Sequence, residues 1–174
     1  MKFIIGLGNP GREYAKTRHN FGWLVLDALA GASKWQEKIT AKVFILEKEL
    51  SGKDMVLAKP TTFMNRSGVV LNYIKKKYPK FKKSDLVVVH DDKDLDFGRI
   101  KVSHDSSSAG HNGVQSIIDA LGSKDFTRIR LGVKNDLLTK MPTDKFVIGR
   151  FTAEESKKLD GIIKEATEAL EKEI

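Results

Sequence analysis

The chain contains no cysteine. That removes disulfides, thiolate nucleophiles and cysteine-held metals from consideration. No apolar run approaches the roughly 20 residues that a membrane span requires. The first residues read as a strand rather than as a signal peptide with a cleavage site. There is no internal repeat and no Gly/Ser/Pro-rich linker, so residues 1–174 read as one domain, long enough to bury a proper core. Together these absences favour a soluble protein of the cytoplasm. Acidic residues are the other shortage: 23 Asp and Glu face 31 Lys and Arg, for a net charge of +8. The imbalance is local. From Thr152 onward four lysines meet seven acids, a balance of −3, which leaves +11 for residues 1–151. A basic body of this kind suits a polyanionic partner, most often nucleic acid.

Hydrophobic patterning predicts strands at Lys2–Leu7, Ala41–Glu49, Lys53–Lys59, Leu86–His90, Arg99–Ser103 and Thr127–Val133. It predicts helices at Phe21–Leu29, Ser67–Tyr78, Gly113–Leu121 and Ala153–Glu173. Glu49-Leu50-Ser51-Gly52 reads as a hairpin turn, which requires at least one antiparallel pair. Asn112 reads as the cap of the third helix, with Gln115 in capping-box position and Gly122 as its stop. Strands and helices alternate, so the expected fold class is α/β: a single domain with a twisted mixed β-sheet flanked by helices on both sides.

Gly6, Gly8 and Gly11 spell the dinucleotide pattern G-x-G-x-x-G. In that fingerprint the glycine loop opens directly into a helix. Here Asn9-Pro10-Gly11 is a turn signal, and the helical pattern begins only at Phe21. The pattern is therefore read as a decoy. The strand empties instead into a loop carrying Asn9, Tyr14, Thr17, Arg18, His19 and Asn20. Three further loops carry chemistry: Lys59–Gly68, His90–Asp96 and His104–Gly113. Several follow a strand directly, and open α/β sheets bind ligands at strand carboxyl ends.

Each feature has a plainer alternative. Asn65 and Asn112 stand where helix caps stand. Asp91–Asp96 is also what a solvated acidic turn looks like, and it lacks the glycine and terminal glutamate of a calcium loop. His90, His104 and His111 show no H-E-x-x-H or comparable spacing, so no metal is expected. The lysines of Ile74–Lys83 suit a solvated face, with nucleic-acid contact second. No G-x-S-x-G elbow supports a serine nucleophile. What remains is a histidine that activates water, an aspartate that orients it, and asparagines that donate to a developing oxyanion. That chemistry suits an ester better than an amide.

The segments GLGNPGREYAKTRHN, KPTTFMNRSG, HDDKDLDFG, GHNGVQSI and RIRLGV, in this order, resemble bacterial peptidyl-tRNA hydrolase over residues 1 to about 151. The resemblance implies one α/β domain that hydrolyses the ester between a peptide and the 3′ end of tRNA, without metal or cofactor. It implies His19 as general base, Asp91 as its partner, and Asn9 as an amide that polarises or positions the substrate. It places Tyr14, Met64, Asn65, His111 and Asn112 in the substrate cleft. Arg130 falls near the tRNA 5′ phosphate, with Lys101 the nearest lysine for the same task. The expected partner is peptidyl-tRNA, with no membrane, and the expected state a monomer. The sequence departs from the family's habit in several places. The loop before Gly110-His111 is Asp105-Ser106-Ser107-Ser108-Ala109 rather than glycine-rich, Ser103 stands where a tRNA-binding lysine is common, Gly132-Val133-Lys134-Asn135-Asp136 replaces the common G-I-G-R-P, and the last helix is acidic rather than basic in a C-terminus shorter than usual. A non-catalytic RNA-binding protein of the same fold is the rival reading.

Overall fold

The computed structural model describes residues 1–50 and 52–174. Seven strands form one mixed sheet in the order β2-β3-β4-β1-β5-β7-β6. They are β1 (Lys2–Gly6), β2 (Gln36–Lys38), β3 (Val43–Leu50), β4 (Lys53–Pro60), β5 (Leu86–Asp96), β6 (Ile100–Ser103) and β7 (Thr127–Lys134). β4, β1, β5 and β7 run parallel at the centre, and β2, β3 and β6 pair antiparallel at the edges. The predicted hairpin is the β3–β4 pair, with Leu50 opposite Lys53; Ser51 in its turn lies outside the described residues.

The helices are α1 (Phe21–Ala30), α2 (Val70–Lys77), α3 (Asn112–Leu121), α4 (Thr143–Val147) and α5 (Ala153–Glu171). Alternation along β1 and β5 explains the three layers. Ile4, Val87 and Val89 pack with α1 and α5 on one face. Phe3, Ile5, Leu86 and Val88 pack with α2 and α3 on the other. Central strands covered on both faces become continuous apolar runs, as the sequence showed.

Gly6 and Gly8 have packing tasks, not phosphate to bind. A Cβ on Gly6 would meet the Gly22 carbonyl at 2.6 Å, and one on Gly8 would meet the Trp23 ring at 2.6 Å. Gly22 in turn lies against the backbone of Leu7 and Val89. These close approaches seat α1 directly on β1 and β5, so the residues just before α1 sit at the sheet's carboxyl end.

Several predicted boundaries change. β5 does not stop at His90. It runs to Asp96, because Asp91 and Asp92 pair with Leu131 and Gly132 of β7. The helix predicted from Ser67 begins as a tighter 3₁₀ stretch at Met64–Val69, and α2 proper starts at Val70. Asn112 is not a cap. His111 caps α3, its Nδ1 accepting from the N–H groups of Gly113 and Val114, while Gln115 bonds to Ser108 and Asp119. Asn65 caps nothing either; it lies exposed inside the 3₁₀ stretch. β2 and α4 escaped prediction, being three polar residues at a sheet edge and five residues after a proline.

Candidate active site

Asp91 is the node of the site. It is 1% exposed, and its Oδ1 faces two imidazoles. Nδ1 of His19 lies 2.9 Å from Oδ1 and 3.0 Å from Oδ2. Nε2 of His111 lies 3.0 Å from Oδ1. The protons can be assigned from the partners. Nδ1 of His111 accepts two backbone N–H groups, so its ring proton sits on Nε2 and is donated to Asp91. His19 donates from Nδ1, which leaves its Nε2 with no protein hydrogen bond among the described residues, on a side chain that lines the cavity over Asp91.

The electrostatics follow from this geometry. Burial alone would lower the affinity of His19 for its proton, but the charge of Asp91 and its hydrogen bond outweigh burial and raise the imidazole above its ordinary value of 6.5. Burial alone would raise Asp91; the charges and hydrogen bonds of His19 and His111 reverse that and hold the carboxyl well below its usual range. His90, the residue before Asp91, donates from Nδ1 to the Asp91 carbonyl at 2.7 Å. Burial, with His111 alongside, pushes it well below its ordinary value.

Three donor atoms of His19, Asp91 and His111 lie within 4.8 Å of one another, a spacing that metal ligands also adopt. An ion there would have to displace both ring protons that now face Asp91, and the proton of His111 is fixed by the cap of α3. The donor set is thus arranged to hold protons.

His19 is held by its neighbours in sequence. Arg18 is 2% exposed; its Nη2 donates to Glu155 Oε2 at 2.7 Å, and its guanidinium lies 4.4 Å from the Phe146 ring centre. The Arg18 N–H donates to the Gly149 carbonyl, and Thr17 bridges Arg150. Glu155 also closes the capping box of α5 with Thr152 and accepts from Asn135. Sequence reasoning missed this anchor, since Glu155 lies 137 residues from Arg18 and looks like an ordinary first-turn acid.

Asn20 and Asn9 clasp each other: the Asn9 N–H donates to Asn20 Oδ1, and Asn20 Nδ2 donates to the Asn9 carbonyl, both at 2.9 Å. The Asn9 side chain then has one sensible orientation. Its Oδ1 accepts from the Met64 N–H at 2.8 Å, so its Nδ2 is left unpartnered among the described residues. Met64 is buried and Tyr14 half-buried, with the Tyr14 ring edge-on to exposed Phe63 at 6.3 Å. Asn65 and Asn112 are exposed, one on each side of a groove between the 3₁₀ stretch and α3. A cavity of about 250 Å³ opens over His19, Asp91 and His111 toward Val147 of α4.

Arg130 sits on β7 beside this cavity. Its Nε donates to Asp92 Oδ2 at 2.6 Å, and its terminal nitrogens carry no bond to protein among the described residues. Lys101 of β6 is exposed and lies directly across the strand pair from it, so both side chains share one face. Of the residues singled out from sequence, His19, Asp91, His111 and Asn112 line the cavity and Asn65 lines the groove with Asn112; Asn9 and Met64 are bonded to each other next to Asn20, Tyr14 stands against Phe63, and Arg130 and Lys101 form a separate cationic edge.

A family model described as peptidyl-tRNA hydrolase matches residues 3–174. A peptidyl-tRNA hydrolase of Thermodesulfovibrio yellowstonii is 45% identical over 172 residues, covering 98% of this chain and 90% of that protein. One of Aquifex aeolicus is 38% identical, covering 98% and 88%. The crystal structure of peptidyl-tRNA hydrolase from Acinetobacter baumannii superposes with a TM-score of 0.85 at 30% identity, covering 94% of this chain and 83% of that one.

Proposed function

The chain belongs to the peptidyl-tRNA hydrolase family and hydrolyses peptidyl-tRNA; from that premise we propose that His19 is the general base, paired with Asp91. The observation that carries this reading is the asymmetry of His19, with Nδ1 committed to Asp91 and Nε2 open. Nε2 takes a proton from water as the water oxygen attacks the ester carbonyl. Asp91 stabilises the imidazolium that forms. The carbonyl oxygen gains negative charge, which the Nδ2 of Asn9 is oriented to meet. The bond to the ribose 3′ oxygen then breaks, and that oxygen takes the proton from His19. The products are a free peptide acid and tRNA.

His111 is a positioning residue in this scheme, because it shares Asp91 while its other nitrogen is spent on α3. Tyr14, Met64, Asn65 and Asn112 line the cleft for the peptidyl end. Arg130 and Lys101 meet tRNA phosphate, for which a guanidinium with free terminal nitrogens is well shaped. The basic body serves the same partner. The protein acts as a monomer in the cytoplasm and needs no metal; no helix in the described residues is long and apolar enough to cross a membrane.

The test is release of N-acyl amino acid from N-acyl-aminoacyl-tRNA by wild type and His19→Ala in parallel. General base catalysis predicts a fall in kcat of about a hundredfold or more. An unchanged rate in the variant refutes His19 as base. Absence of hydrolysis by wild type, with tight tRNA binding, replaces the enzyme by the RNA-binding reading.

A further inference from the structure

A groove of about 550 Å³ leads away from Asn65 and Asn112 between the 3₁₀ stretch with α2 on one side and α3 on the other. We propose that this groove carries the peptide residues upstream of the esterified one; the inference rests on the hydrolase reading. The groove has two facing stripes. On α3, Asn112, Gln115 and Asp119 follow helical spacing along one face. Opposite them stand Asn65, Arg66 and Asn72. From Asn112 to Asp119 the helix advances about 10 Å, the span of roughly three extended residues.

The walls are fixed close together. Gly68 lies against the Ser116 backbone, where no Cβ would fit, and its N–H donates to Ser116 Oγ at 2.9 Å. The two walls thus meet at Gly68 and Ser116, and polar groups line the groove on both sides.

Its chemistry separates peptide from RNA. Asn65, Asn72 and Asn112 form no side-chain hydrogen bonds to the protein among the described residues, so each offers a donor and an acceptor. Peptide backbone presents both kinds in alternation, whatever its sequence, and an enzyme that clears many different peptides needs that indifference. The lining carries one residue of each charge, Arg66 and Asp119, and no lysine. A path for phosphates would be lined by cations and would avoid an aspartate. The cations assigned to phosphate, Arg130 and Lys101, belong to β7 and β6 instead. Asp119 at the far end also suits the α-ammonium of a short peptide.

The experiment compares kcat/KM for N-acetyl-aminoacyl-tRNA and N-acetyl-tetrapeptidyl-tRNA in wild type and in an Arg66→Ala, Asn72→Ala double variant. Both positions are exposed, so the fold should survive. The expected result is a loss of about three- to tenfold on the long substrate, on the scale of one or two backbone hydrogen bonds, with the short substrate unchanged. Asn72→Gln alone, which keeps the amide, should retain the long-substrate rate. Equal losses on both substrates, no loss on either, or a weakened affinity for deacylated tRNA would each overturn the assignment. Failure of wild type to cleave the short substrate would instead overturn the hydrolase reading beneath it.

Discussion

Two segments each deliver a histidine to Asp91, and they are built in opposite ways. The segment ending in His19 has no long regular element, yet Thr17, Arg18, His19 and Asn20 are all buried. It is tied to Gly149, Glu155, Asn9 and Asp91 by bonds from both backbone and side chains. The segment ending in His111 runs from His104 through three serines, mostly exposed, with Asp105 and Ala109 at positive φ of 43° and 48°. Its ties lie mostly at the surface: His104 to Thr127, Ser106 to the His104 carbonyl, Asp105 to Lys124, Ser108 to Gln115, the Ser107 carbonyl to Arg128, and the His111 N–H to the Ser108 carbonyl. The difference matches the two tasks. A base must hold its angle to a water and an ester, whereas a second donor to Asp91 need only keep one proton pointed at one oxygen, and the cap of α3 does that without help from the loop before it.

The comparison breaks most severely at Arg18. Arg18→Ala leaves Glu155 buried beside an unfilled space, and removing one member of a buried pair costs about 3–5 kcal/mol. Chemical denaturation should show that loss, with kcat reduced in whatever fraction still folds. Glu155→Gln, which keeps an acceptor for the Thr152 cap, should cost less. If Arg18→Ala melts like wild type, the anchoring of His19 through α5 is refuted.

Asp91→Asn comes next. It should lower kcat by about a hundredfold or more, since the imidazolium loses its counter-charge. The pH profile carries the sharper sign. His19 must be neutral to act, and its proton affinity is raised in the folded protein. The acid limb of kcat/KM should therefore lie above pH 6.5 in wild type and move down in Asp91→Asn. Stability runs the other way. A raised histidine contributes in full below its unfolded value of about 6.5 and loses that contribution as pH rises through the folded value. The lowered carboxyl of Asp91 contributes above about 3.9 and loses it as acid protonates the folded state. The Asp91 network is thus firmest between about pH 4 and 6.5 and most active above that window. An acid limb that does not move in Asp91→Asn would disprove the coupling.

How much of this was legible in the chain depends on whether a signal was local. Val87 to Val89 announced a central strand, and the helical spacing of Leu159, Ile162, Ile163, Ala166 and Leu170 announced the last helix. The extension of β5 through Asp91 and Asp92 was not legible, because two aspartates after an apolar run look like a turn until their partners are known. Those partners, His19, His111 and Arg130, are 72, 20 and 38 residues away. The cap of α3 misled for a different reason. Asparagine is a common cap and histidine is not, so Asn112 drew the role that His111 holds. Arg18 was visible only as one more charged loop residue; nothing near it shows that Glu155 will bury it.

The cationic edge gives a smaller and different effect. Arg130→Ala removes terminal nitrogens from the tRNA side and leaves Asp92 without its partner, but touches neither histidine. It should weaken tRNA binding, reduce the magnitude of the slope of log K against log salt by about 1, and leave kcat at saturation close to wild type. An unaltered slope removes Arg130 from the phosphate contacts.

The smallest expected effect separates the two histidine segments best. Ala109 holds φ at 48°, which costs an L-residue with a Cβ about 1–2 kcal/mol. Glycine there relieves the strain but widens the unfolded ensemble by about 0.5–1 kcal/mol. Ala109→Gly should therefore stabilise the protein by about 0.5 kcal/mol, or leave it unchanged, with kcat unaffected because the Nδ1 bonds of His111 to α3 do not pass through residue 109. A measurable fall in kcat would mean that the serine loop takes part in aiming His111, and that the exposed segment is held as closely as the buried one.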